Sequence, residues 1–124
     1  MAGRATLGKK ERLKSRKLIG ELFSEGKRMS VPPFRINYIF KAGAPVKLQA
    51  GVTASTRNFK KASDRNKIKR QTREAWRLQK AALTEILKGD LAVFFIYTEK
   101  ELPVYTDLHT AVGKVIQQLI KKVS

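Results

Sequence analysis

Arg57 to Lys80 reads RNFKKASDRNKIKRQTREAWRLQK, and ten of its twenty-four residues are Lys or Arg against only Asp64 and Glu74. Wound at about 100° per residue, Arg65, Asn66, Lys69, Arg70, Arg73, Arg77 and Lys80 fall on one stripe roughly 140° wide. Ile68, Thr72, Ala75, Gln79 and Leu83 fall on another, with Trp76 where the two meet. The spacing predicts a helix with one face for a core and one for a polyanion. A helix that merely solvates its charges alternates their sign, with Glu four residues ahead of Lys. Here Glu74 is the one acid after Asp64, and it falls off the stripe. Arg and Lys donors of a single sign suit phosphate. Trp76, flanking an apolar stripe, reads as core rather than as a stacking platform.

Downstream, Leu83, Ile86 and Leu87 prolong the helical period until Lys88-Gly89-Asp90 stops it. LAVFFIY at 91–97 is apolar without alternation, as in a strand buried on both faces in mid-sheet. Beyond Pro103, Thr106 or Asp107 is expected to cap a last helix. Its stripe is Leu108, Ala111, Val112, Val115, Leu119 and Ile120, and Lys121-Lys122 suit its C-terminal dipole.

Upstream, Phe34, Ile36, Tyr38 and Phe40 alternate with Arg35, Asn37, Ile39 and Lys41. Leu48, Ala50, Val52 and Ala54 alternate with Gln49, Gly51, Thr53 and Ser55. The turn at Ala42 to Pro45 makes a hairpin between these two strands the expected connection. Lys27 to Val31 reads as a short edge strand ended by Pro32-Pro33. Leu18, Ile19, Leu22 and Phe23 predict a first helix capped by Ser15 and ended by a left-handed Gly26, with Arg12, Lys14, Arg16 and Lys17 at its entrance. Residues 1–12 are basic and aperiodic, so a mobile arm is expected before one domain over 13–124. Helix, three strands, helix, strand, helix is an α+β order with helices against one sheet. The polar strand face of Arg35, Asn37, Thr53 and Ser55 is expected to stay uncovered, as the floor of a cleft.

The 124 residues carry a formal net charge of +17 and a pI near 10.6, which points to nucleic acid or an anionic membrane surface. No apolar run approaches the eighteen or so residues of a spanning helix, so no membrane partner is expected. Without cysteine there is no disulfide, thiolate ligand or thiol nucleophile, in keeping with a cytoplasmic protein. Acid–base cleavage favours histidine, and a two-metal site needs clustered carboxylates. His109 is the single histidine and reads as structural or exposed. Asp64, Asp90 and Asp107 read as caps or turn residues, so neither a catalytic nor a metal-ligating set emerges on the protein. A structural ribosomal-type RNA-binding protein fits the same composition, and a helix-turn-helix DNA binder fits less well because the remainder is rich in strands.

DRNKIKRQTREAWR at 64–77 resembles the signature of the bacterial ribonuclease P protein subunit. RLKSRKLIGELFSEGKR at 12–28, FRINYIF at 34–40, LQAGVTAS at 48–55 and GDLAVFFIY at 89–97 are similar to the layout of that family. The resemblance implies an α-β-β-β-α-β-α two-layer sandwich of the ribosomal protein S5 domain 2 kind. Its mixed sheet carries a left-handed β-α-β crossover, against the usual right-handed rule. It also implies a catalytic RNA that cleaves precursor tRNA with Mg2+ held mainly by RNA and substrate, and a protein that binds this RNA and the single-stranded 5′ leader. No obligate protein partner is implied.

On that resemblance Arg65, Asn66, Lys67, Lys69, Arg70 and Arg73 face the catalytic RNA, with Arg77 continuing the row. Phe23 lies in the leader cleft, which Ile19, Arg35, Asn37, Ser55, Phe59, Lys60 and Lys61 are expected to complete. Phe59, in the basic loop, is the favoured stacking ring. Ile19 and Asn37 stand where many relatives carry aromatics, and each missing platform removes about 1–3 kcal/mol of base stacking.

Overall fold

The structure, a computed structural model, describes residues 16–123. Its elements are α1 (Arg16–Ser24), β1 (Lys27–Val31), β2 (Phe34–Ala42), β3 (Lys47–Ala54), α2 (Ala62–Gln79), α3 (Ala81–Ile86), β4 (Gly89–Tyr97) and α4 (Tyr105–Val123). The expected arm, the Ser15 cap, and Arg12 and Lys14 lie outside the described residues. The four strands form one mixed sheet in the order β1-β2-β4-β3.

The expected hairpin between β2 and β3 is replaced by a different pairing. β4 lies between them, antiparallel to β2 and parallel to β3, and the hairpin in the sheet joins β1 to β2. The reason lies in the unbroken apolar run of β4, which has two faces to bury and is best served at the centre. The connection from β3 to its parallel neighbour then has to cross over through α2 and α3.

Cross-strand partners share a face. One face carries Phe34, Ile36 and Tyr38 beside Leu91, Val93, Phe95 and Tyr97, then Ala50, Val52 and Ala54. It forms the main core with Ile68 and Trp76 of α2, Leu83 of α3, and Leu108, Val112, Val115 and Leu119 of α4. Phe95 sits at its centre, with the rings of Phe34 and Trp76 edge-on at 5.2 and 5.6 Å. Trp76 is 1% exposed, as its place beside the apolar stripe predicts.

The other face is not bare. α1 lies on it, and Leu22 is fully buried with Ala92 and Phe94, fringed by Leu18, Ile19, Ile39 and Ile96. Reading β2 and β3 alone made this face look polar. The apolar Ala92, Phe94 and Ile96 of β4 share it, however, and α1 is what removes them from water.

Four helix boundaries differ in detail. The helix after Ala62 breaks at Lys80, whose N–H still bonds Trp76 O at 2.9 Å, and restarts as α3. Lys61, not Asp64, is the N-cap of α2, without a side-chain cap, and Asp64 and Asp107 sit inside first turns where a carboxylate suits the helix dipole. Gly26 ends α1 without a left-handed φ. It is needed for closeness instead: a Cβ there would collide with the carbonyl oxygen of Leu22.

Candidate nucleic-acid interface

α2 turns Ile68, Thr72, Ala75 and Trp76 inward. Thr72 is fully buried yet costs little, because its hydroxyl donates to Ile68 O at 2.8 Å. Asn66, Lys67 and Arg70 project into solvent, and Lys69 and Arg73 are half-buried beside them. Half-burial of a Lys or Arg lays its aliphatic stem against apolar surface and keeps the charged head toward the outside of the helix. The structure thus gathers Asn66, Lys67, Lys69, Arg70 and Arg73 on the outer surface of one helix.

Two members of the expected row do other work. Arg65 is half-buried, and its Nη1 donates to the carbonyls of Phe59 at 2.6 Å and Lys60 at 3.0 Å. It therefore holds the preceding loop against the first turn of α2. Arg77 pairs with Glu74 at 2.5 Å, through hydrogen bonds from Nη2 and Nε. That hydrogen bond raises the Arg77 pKa above its ordinary value, and the pair cancels much of the charge offered to a partner. An ideal wheel sets Glu74 off the stripe, but the three-residue spacing and two long side chains close the gap. Burial lowers the Lys80 pKa from its ordinary value at the end of α2.

Phe59 is a second correction. It is 5% exposed and belongs to the main core, its ring 5.9 Å from Tyr97, so it is no stacking platform. An apolar residue just ahead of a helix fixes the entry of the chain by packing inward. With Phe59 turned in and its N–H bonded to Ser55 O at 3.0 Å, Lys60 and Lys61 stand exposed at the mouth of α2. Ser55 is exposed, and its Oγ accepts from the Arg57 N–H at 3.0 Å, closing the turn that leads out of β3.

On the sheet face under α1, Phe23 is 44% exposed and rests edge-on against Phe94 at 5.6 Å. Ile19 is half-buried in the same small cluster, and Arg35 is exposed on β2. Asn37 is the third correction: at 2% exposure it is covered, not part of an open polar floor. Sequence reasoning missed Arg28 and Ser30, which are exposed on β1 opposite Asn37 and Arg35 and extend this face to the sheet edge. The β1–β2 register would have found them, since cross-strand partners point the same way.

His109 is half-buried, its ring 5.9 Å from that of Tyr105 and its carbonyl accepting from Gln79 Nε2 at 2.9 Å. Among the described residues no three His, Cys, Asp or Glu side chains come together as a metal site, and no helix is long and apolar enough to cross a membrane.

Residues 7–120 match the family model described as Ribonuclease P. The chain is 32% identical over 114 residues to the ribonuclease P protein component of Porphyromonas gingivalis strain W83, a match covering 87% of this chain and 82% of the relative. Among solved structures, the RNase P protein from Thermotoga maritima superposes with a TM-score of 0.69 at 21% identity, covering 87% of this chain and 96% of the other. The Staphylococcus aureus RNase P protein gives 0.66 at 19% identity, covering 92% and 98%. A four-stranded mixed sheet in this helix and strand order, a cationic crossover helix and these matches agree: the chain belongs to the bacterial ribonuclease P protein family, the protein component of the enzyme that matures the 5′ ends of tRNA.

Proposed function

We propose that α2 binds the catalytic RNA of ribonuclease P and that the face carrying Phe23 binds the single-stranded 5′ leader of precursor tRNA. The observation that carries this reading is the outer surface of α2, where Asn66, Lys67, Lys69, Arg70 and Arg73 stand together while Glu74 is engaged by Arg77. Such a surface neutralises phosphates and releases counterions whatever the base sequence. Lys60 and Lys61 continue the positive surface from the loop. Phe23 offers a ring to a base, and Arg35 and Arg28 lie on the same sheet face for the backbone.

In this reading cleavage belongs to the RNA, and the protein's part is to grip and orient in the cytoplasm. The Mg2+ of the reaction is held in this reading mainly by the RNA and the substrate phosphates. By screening phosphate repulsion the protein lowers the Mg2+ concentration that assembly requires.

Reconstitution tests it. Adding the protein to ribonuclease P RNA at low Mg2+ is expected to restore 5′ maturation of precursor tRNA. If about five phosphates are neutralised, log affinity for the RNA should fall against log salt with a slope of about −3.5 to −4.5. Salt-independent binding would overturn the electrostatic reading, and cleavage by protein freed of RNA would overturn the division of labour.

A further inference from the structure

The last turn of α1 has an unusual hydrogen-bond arrangement. The N–H groups of Glu25 and Gly26 both go to Glu21 O, at 2.7 and 3.1 Å, so the Leu22 carbonyl is passed over by the backbone donor four residues on. The donor that reaches it comes from the sheet: Asn37 Nδ2, at 3.3 Å. Gly26 keeps the space beside that oxygen open, because any Cβ there would collide with it.

Asn37 is 2% exposed and its Oδ1 has no hydrogen-bond partner. Turning the amide over would set Oδ1 against the Leu22 carbonyl, two acceptors face to face, so the orientation with Nδ2 toward Leu22 is the one that works. One half of the buried amide is unpaired, so the other half, the donor to the buried Leu22 carbonyl, is what the amide supplies at this position. The residue following the held carbonyl is Phe23, and the strand neighbour of Asn37 is Phe94, on which the Phe23 ring rests.

We propose that Asn37 is a positioning residue for leader binding: its amide donor pins the Leu22 carbonyl and thereby sets where α1 presents Phe23. Asn37 touches no leader itself and acts through the end of α1. The inference deepens the leader-cleft reading above and rests on it.

The test uses the holoenzyme with Asn37→Leu and Asn37→Asp. Three quantities are measured: thermal unfolding of the free protein, affinity for precursor tRNA with and without a 5′ leader, and the Phe23 resonance in protein labelled with fluorophenylalanine. Asn37→Leu leaves the buried Leu22 carbonyl without that donor, so it is expected to fold but melt at a lower temperature than the parent, to shift the Phe23 resonance, and to lose roughly fivefold of the leader-dependent affinity. Leaderless tRNA should bind as before. Asn37→Asp keeps the shape without the donor, and is expected to lose the leader preference as well. The proposal is overturned if either variant keeps full leader discrimination while Phe23→Ala loses it. If Phe23→Ala also leaves discrimination intact, the cleft reading fails. The Phe23 resonance then judges the strut alone, and an unshifted signal in Asn37→Leu refutes it.

Discussion

The two faces of the sheet are covered in very different ways. Under α2, α3 and α4 a continuous core runs from Val31 to Val123, centred on Phe95 and Trp76. Under α1 the fully covered set is Leu22, Ala92 and Phe94, and Phe23 and Arg35 remain open beside it. The first face supplies stability. The second is covered by nine residues of helix, enough to keep α1 in place and little enough to leave a surface for a ligand. A mobile or adjustable site belongs where few apolar contacts hold it.

Breaking the deep face should have the largest effect. Trp76→Ala removes a ring that is 1% exposed and is expected to cost about 3–5 kcal/mol, read as loss of cooperative thermal unfolding. RNA binding should fail with the fold. Breaking the shallow face should be milder and local. Gly26→Ala forces the end of α1 away from the Leu22 carbonyl, at a cost of about 1–3 kcal/mol by denaturant titration. It should weaken leader-bearing substrates more than leaderless tRNA, and an equal loss for both would mean that α1 does not shape the cleft.

The outer surface of α2 belongs to neither core. Lys67→Ala with Arg70→Ala should leave stability within about 0.5 kcal/mol and flatten the salt slope for RNA by about 1.4 to 1.8. Unfolding of this variant would contradict the observed faces of α2. The smallest expected effect is alkaline. Burial, then Glu99 and Glu101, raise the Tyr97 phenol above its ordinary pKa, and its O–H donates to Glu101 O at 2.7 Å. A raised phenol favours the folded state at pH values below the unfolded pKa near 10. That contribution is lost as pH climbs from there through the folded pKa. Tyr97→Phe should therefore show a flatter decline in melting temperature above pH 10 than the parent.

Much of this was legible one residue at a time. The period of Ile68, Thr72, Ala75 and Trp76 named the buried side of α2, and the unbroken run from Leu91 to Tyr97 named the central strand. The motif at Asp64 to Arg77 named the family. Less legible were contacts made by residues far apart in the chain. Phe59 looked like an exposed ring in a basic loop, because nothing local announces Tyr97 as its partner. Asn37 looked like a polar floor, because its cover comes from Leu22, fifteen residues earlier. Arg77 looked free because a helical wheel records angle and not the reach of Glu74.

By itself the order of residues determined which segments wind or extend, which sides of them avoid water, and the concentration of positive charge on α2, since propensity, period and charge are carried by neighbours in the chain. Tertiary structure alone decided that β4 separates β2 from β3, that α1 closes the second face, and which cations spend their donors inside the protein. Those outcomes depend on which distant surfaces fit together once the core forms, and each buried donor or acceptor takes the partner that packing brings within reach.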